Sequence, residues 1–312
     1  MSFSSGVKEE LASQNPPARH CRIALIAALF HMCPYLKKDC AGIRTESEAA
    51  ASAFEAALRK VLPDPVEVNR SGRETTVTVH GEEQVRRFLE MMKLDTVISP
   101  ESLEEDGKEL VRRARIPSIL LQKTCCRRAF LRGLFLAAGS VSDPSKSYHL
   151  EIAPLLETEA DQIMKLLSSI GFSAKCTRRK GRCVVYLKEG AQISNFLGAT
   201  GATGSLMKLE NARILRDIAG NINRQVNFEA ANLKKTGIAS ERQLGDIALI
   251  ERTVGVSSLP PILQEAARLR VENPDKSLQE LAESCHPPVG RSGMNHRLQR
   301  IARIAEKIRE KG

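Results

Sequence analysis

The sequence predicts an α+β protein in two parts: a duplicated αββαββα domain, then an all-α helix-turn-helix domain. Three observations predict it. The first two hundred residues repeat one order of elements at a near-constant offset. The segment Gly198–Gly204 (GATGATG) breaks the pattern with glycines and threonines. The last third reads as a capped short helix, a compact turn and a longer amphipathic helix. At 312 residues, the chain has room for two domains with real cores.

Residues 1–20 read as an N-terminal helical arm, 21–95 as copy one and 125–200 as copy two. Each copy opens on an apolar helix, Cys21–Met32 or Cys125–Ala138. A short extended pair follows. In copy two it is Gly139–Ser142 and Tyr148–Ala153, joined by a turn at Asp143-Pro144-Ser145-Lys146. An amphipathic helix comes next, Glu48–Leu62 or Glu157–Ile170, with apolar residues recurring at three and four. A hairpin then turns at Ser71-Gly72 or Lys180-Gly181. Both copies close on a helix containing Phe-Leu, at Phe88-Leu89 and Phe196-Leu197. Ile26 and Leu131 lie 105 residues apart, Gly72 and Gly181 109, and Phe88 and Phe196 108. Such regularity is the mark of duplication.

Within copy two's opening helix, Leu131–Gly139 (LRGLFLAAG) resembles the LAGLIDADG motif of homing endonucleases. That resemblance implies two helices packed backbone to backbone through small residues, here Ala27 and Ala28 against Gly133 and Ala137. It also implies an acid before the final Gly to hold Mg²⁺, since a hard cation takes oxygen ligands. Ala138 fills that position and Leu136 the earlier acidic one. In copy one Cys33 stands at the ligand position and Pro34 replaces the closing Gly. A thiolate suits soft metals rather than Mg²⁺. Cys33 and Ala138 are therefore degenerate active-site positions, and no catalytic residue is expected.

Lys and Arg number 47 against 37 Asp and Glu, a net charge of +10 with pI near 9.3, a balance that favours an anionic partner. Met1–Asn15 has no apolar core of the kind a secretory signal needs, and the apolar run Ile23–Phe30 is too short to span a bilayer. A reduced, cytoplasmic protein is expected, nucleoid-associated if it binds DNA, with no membrane role. Its eight cysteines include no CxxC pair. His20, Cys21, His31, Cys33 and Cys40 cluster in sequence, but their spacing matches no paired-ligand pattern of structural zinc. They read as core cysteines, and neither metal nor cofactor is expected.

Between the copies, Ser99–Arg115 carries Glu104, Glu105 and Asp106, then Arg112, Arg113 and Arg115, and reads as a solvated connecting helix in preference to a partner site. The second hairpin of copy two carries Lys175, Arg178, Arg179, Lys180 and Arg182, a basic ribbon tip that is either a second DNA surface or a solubilising end. Residues 201–255 read as a helical linker. Its Asn221, Asn223, Arg224, Asn227 and Asn232 suggest caps or specific contacts, with a plain long helix as the alternative.

Residues 256–312 read as the DNA-binding domain. Leu259-Pro260-Pro261 starts a helix running to Asn273-Pro274. Ser277 with Glu280 makes a capping box for a second, which His286-Pro287-Pro288-Val289-Gly290 ends. The final helix follows from Ser292, with Met294, Leu298, Ile301, Ala305 and Ile308 as its apolar stripe. No acid occurs from Val289 to Ala305. Candidate contacts to duplex DNA are Ser277, Arg291, Ser292, Asn295, His296, Arg297, Gln299, Arg300 and Arg303, residue types that reach base edges and phosphates.

The opening MSFSSGVKEEL, the block CCRRAFLRGLFLAAGSVSDPSKSYHLEI, the stretch NINRQVNFEAANLKK and the segment PPVGRSGMNHRLQRI together resemble the bacterial WhiA family over nearly the whole chain. The resemblance implies a degenerate LAGLIDADG domain joined to a helix-turn-helix like region 4 of sigma factors. It also implies a role in transcription, cell division and chromosome segregation, and in sporulation control in some relatives. Copy one departs from the family, where Asn-Gly is usual at Cys33-Pro34. The expectation is a sequence-specific DNA-binding regulator that is not an enzyme, with RNA polymerase or another regulator as a candidate partner and a monomeric state open. A residual nuclease using Glu151 or Glu157, and an interaction scaffold without DNA contact, are the alternatives.

Overall fold

The computed structural model describes residues 2–98, 107–179 and 181–310. Helix α1 (Phe3–Ala12) is capped by Ser2, whose Oγ accepts the Ser5 N–H at 3.0 Å. It buries Val7 and Leu11 completely. Residues expected as an arm thus contribute to the core. Copy one continues with α2 (Arg19–Met32), β1 (Pro34–Lys37), β2 (Cys40–Thr45), α3 (Glu48–Leu58), β3 (Glu67–Ser71), β4 (Glu74–His80) and α4 (Glu82–Met91). A short helix, α5 (Lys108–Arg113), precedes copy two, and Glu104, Glu105 and Asp106 of the expected bridge lie outside the described residues. Copy two is α6 (Thr124–Ala138), β5 (Gly139–Val141), β6 (Leu150–Ile152), α7 (Glu157–Ser168), β7 (Lys175–Arg179), β8 (Arg182–Leu187) and α8 (Gly190–Thr200).

Each copy builds one antiparallel four-stranded sheet, ordered β1-β2-β4-β3 and β5-β6-β8-β7. The same order twice is what a duplicated unit must give. Gly72 at φ +61° and Gly181 at φ +77° supply the left-handed residue of the two hairpin turns. Helices α2 and α6 are each buried along most of their length. They meet through small residues. A Cβ added to Gly133 would lie 2.6 Å from Ala28 Cβ and 2.8 Å from the Leu25 carbonyl oxygen, so only glycine permits this approach.

The chain divides into two compact units, Met1–Arg216 and Asp217–Gly312, and the division falls inside helix α9 (Thr203–Thr253). The Glu10 carboxylate caps this helix, accepting the Gly204 and Ser205 amides at 2.6 and 2.9 Å. The start of α9 belongs to the first core through Leu209, and its end belongs to the second through Ile247 and Ile250. The stretch expected as a linker therefore contributes to both units. Asn221, Asn223, Asn227 and Asn232 are exposed within the helix and cap nothing; Asn221 Oδ1 accepts from Arg224 at 2.6 Å. The second unit adds α10 (Pro261–Glu272), α11 (Leu278–Glu283) and α12 (Arg291–Arg309). Met294, Leu298, Ile301 and Ala305 are buried as the stripe requires, with Ile308 partly so.

Candidate nucleic-acid interface

The interface is built from the supports upward. Helix α10 begins with proline in its first turn, where the missing N–H costs nothing. Its Arg270 is fully buried, and Nη1 donates to the carbonyls of Asn273, Pro274 and Lys276 at 3.4, 3.3 and 2.8 Å. One guanidinium thus gathers the connection between α10 and α11, although burial pushes its pKa down. The Ser240 hydroxyl donates to the same Pro274 carbonyl at 2.6 Å, tying α9 to that connection.

Ser277 caps α11 with a complete box: its Oγ accepts the Glu280 N–H at 3.3 Å, and its own N–H donates to Glu280 Oε2 at 2.8 Å. Hydrogen bonding to the Ser277 amide, then to its hydroxyl, holds the Glu280 carboxyl below its ordinary range. The hydroxyl of this candidate contact is therefore already engaged.

Glu265 on α10 fixes the turn before α12. Its carboxylate accepts the His286 N–H at 2.8 Å and Arg297 Nη1 at 3.0 Å. The His286 amide first, and Arg297 after it, keep Glu265 ionised against the cost of burial. Arg297 is consequently half-buried rather than displayed. This changes its expected role: the side chain is a brace between α12 and α10.

The remaining face is open. Arg291, Ser292, His296, Gln299, Arg300 and Arg303 are exposed, and Asn295 is half-buried beside them. Among the described residues, Arg291, Arg300 and Arg303 have no acidic partner. Gly290 precedes α12 with no side-chain cap, leaving its first N–H groups available to a phosphate. At the other end Arg309 pairs with the buried Asp246 at 2.6 Å, anchoring α12 to α9. Glu265 and Asp246 were not legible as supports, because each acts on a residue of another helix, and Arg270 was not, because it acts on backbone carbonyls of the connection after its own helix.

In the first unit, Lys175, Arg178, Arg179 and Arg182 are all exposed on β7 and β8; Lys180 lies outside the described residues. Arg178 is paired with Glu157, while among the described residues no ion pair involves Lys175, Arg179 or Arg182. Cys33 follows the last turn of α2 and Ala138 ends α6, both half-buried. Burial pushes the Cys33 thiol up, while Arg112 and Lys8 stand near enough to oppose that. Glu151, one of the two alternative acids, accepts from Ser140 at 3.2 Å and faces His149 Nε2 at 3.1 Å, and Glu157 is taken by Arg178. No helix among the described residues is long and apolar enough to cross a membrane.

Two family profiles match the chain. The WhiA C-terminal HTH domain covers residues 222–305, and the WhiA LAGLIDADG-like domain covers residues 127–219. A protein of Lachnoclostridium phytofermentans named probable cell division protein WhiA is 42% identical over 99% of this chain and all of its own length. A protein of the same name from Lachnospira eligens is 39% identical over 99% of this chain and 98% of its own. The crystal structure of full-length WhiA from Thermotoga maritima aligns over 98% of this chain and 99% of that one, with TM-score 0.58 and 26% identity.

Proposed function

The chain belongs to the WhiA family, and from that premise we propose that it is a DNA-binding transcription regulator of cell division, with no nuclease chemistry of its own. The single observation that carries this reading is the exposed, acid-free face of α12 around Ser292, His296, Gln299, Arg300 and Arg303. On this reading α12 enters the major groove, with Arg facing guanine, Gln facing adenine and the helix N-terminus facing phosphate. Chromosome segregation, sporulation control in some relatives, nucleoid association and contact with RNA polymerase or another regulator belong to the same proposal.

The second DNA surface is the basic ribbon of β7 and β8. One helix-turn-helix offers a single half-site, so a monomer gains selectivity by adding contacts elsewhere. Lack of a carboxylate at both Cys33 and Ala138 supports the non-enzymatic reading, since phosphodiester cleavage calls for metal ions or an equivalent charge.

The test is binding of the full-length protein to genomic fragments over a salt series. Replacing Arg300 and Arg303 together with Ala should lower the slope of log affinity against log salt by about 2. Unchanged affinity at every salt concentration would refute the assignment of α12. Incubation with Mg²⁺ and supercoiled plasmid should give no nicking, and nicking lost on Glu151→Gln would overturn the non-enzymatic reading.

A further inference from the structure

At the starts of α2 and α6, far from the degenerate motif positions, four ligand-type side chains converge. The ligand atoms of His20, Cys21, Cys125 and Cys126 all lie within 4.8 Å of one another. His20 Nδ1 is 3.2 Å from Cys126 Sγ and 3.3 Å from Cys21 Sγ. Four tetrahedral ligands at zinc's bond lengths, about 2.3 Å to sulfur and 2.0–2.1 Å to nitrogen, stand roughly 3.5–3.8 Å apart. The cluster is already close to that size.

The duplication explains the convergence. His20 and Cys21 are the second and third residues of α2, and Cys125 and Cys126 are the second and third residues of α6. Equivalent positions on the contact face of two helices packed side by side can meet across the pair. Cys21 and Cys126 are buried while His20 and Cys125 are exposed, giving an anchored site with a way in. Exposed Cys125 contributes nothing to the apolar core.

From this geometry we propose that His20, Cys21, Cys125 and Cys126 bind one zinc ion, a Cys₃His structural site that staples the two copies together. Three thiolates and an imidazole, without a carboxylate, are the donor set of a closed structural zinc site rather than of Mg²⁺ or Ca²⁺. The site differs from the grouping of His20, Cys21, His31, Cys33 and Cys40 weighed on sequence, and it shares only His20 and Cys21 with it.

Full-length protein purified under reductant and without chelator should contain about one zinc per chain. Cobalt(II) added to the stripped protein should give the visible bands of tetrahedral coordination and a thiolate-to-cobalt charge-transfer band. With zinc held about 100-fold above its Kd, Tm should rise by roughly 5–10 °C. Cys125→Ser and His20→Asn alter exposed groups and should leave the fold intact while abolishing the zinc-dependent Tm rise. Cys176→Ser, outside the cluster, should retain it. Protein that holds no zinc, gives no cobalt charge-transfer band and shows all eight cysteines as free thiols overturns the proposal. A disulfide joining Cys21 to Cys125 or Cys126 in metal-free protein kept under reductant overturns it equally.

Discussion

Arg297 and Arg300 stand three residues apart on α12 and meet opposite surroundings. Arg297 is held on Glu265, and Arg300 faces solvent. Arg297→Ala would remove a half-buried hydrogen bond between charged groups, a loss of about 1–2 kcal/mol. Thermal unfolding should register this as a lower Tm, while the salt dependence of DNA binding stays as it was. Arg300→Ala should do the reverse, leaving Tm unchanged and reducing the salt slope by about 1. Equal effects of the two variants on Tm would contradict the assignment of Arg297 as a brace. In the first unit, burial lowers the His31 pKa to about 4, with Arg112 adding to the effect. The 3.9 Å approach of its Nε2 to Glu159 Oε1 is too long for a hydrogen bond and does not reverse this. Because the unfolded histidine titrates near 6.5, it takes up the proton first as pH falls. Stability is therefore full above about pH 6.5 and is lost towards pH 4, by roughly 3 kcal/mol from this residue alone. The Glu159 carboxyl, pushed up by burial, partly opposes this, since it gains stability on protonation in acid. His31→Gln should flatten the decline between pH 6.5 and 4 in denaturant titrations, and an unchanged decline would rule His31 out as its source.

Among the elements, the α2–α6 pair has the least tolerance. Gly133→Ala puts a methyl 2.6 Å from Ala28 Cβ and against backbone at Leu25, so the helices must separate. A cost of about 1–3 kcal/mol is expected, read as a lower midpoint in denaturant unfolding. Gly237→Ala, where a Cβ meets nothing within 4 Å, is the control and should not destabilise. The β7–β8 ribbon answers a different question. Arg179→Ala with Arg182→Ala removes two exposed cations that have no described ion pair. If the ribbon lies on DNA, the full-length salt slope should fall by about 2, and an unchanged slope would leave it a solubilising end.

For the molecule as a whole, the second unit cannot begin where its three last helices begin. Ile247 and Ile250 are buried in its core, Asp246 pairs with Arg309, and Ser240 bonds the Pro274 carbonyl. A fragment of residues 256–312 lacks all four side chains. It should melt at much lower temperature, or without a cooperative transition, whereas residues 217–312 should unfold cooperatively in circular dichroism. Equal Tm values would show that the end of α9 adds nothing. Comparison of the full chain with a domain fragment on DNA therefore needs the longer fragment.

Local patterns in the chain determined a good deal by themselves. The duplicated order of elements, the hairpin glycines, the Ser277 capping box and the buried stripe of α12 all follow from periodicity and turn chemistry, which act over a few residues. That positions 33 and 138 carry Cys33 and Ala138 rather than acids is read directly from the sequence. Tertiary structure decided what depends on residues distant in sequence. It turned Arg297 onto Glu265, engaged the start and end of the expected linker in separate cores, and packed Val7 and Leu11 of α1 into the first core. It also set His20 and Cys21 against Cys125 and Cys126, a ligand set no local spacing rule detects. The physical reason is common to all of these. An ion pair, a core contact or a coordination sphere depends on distance in space, and only packing brings side chains a hundred residues apart within a few ångströms.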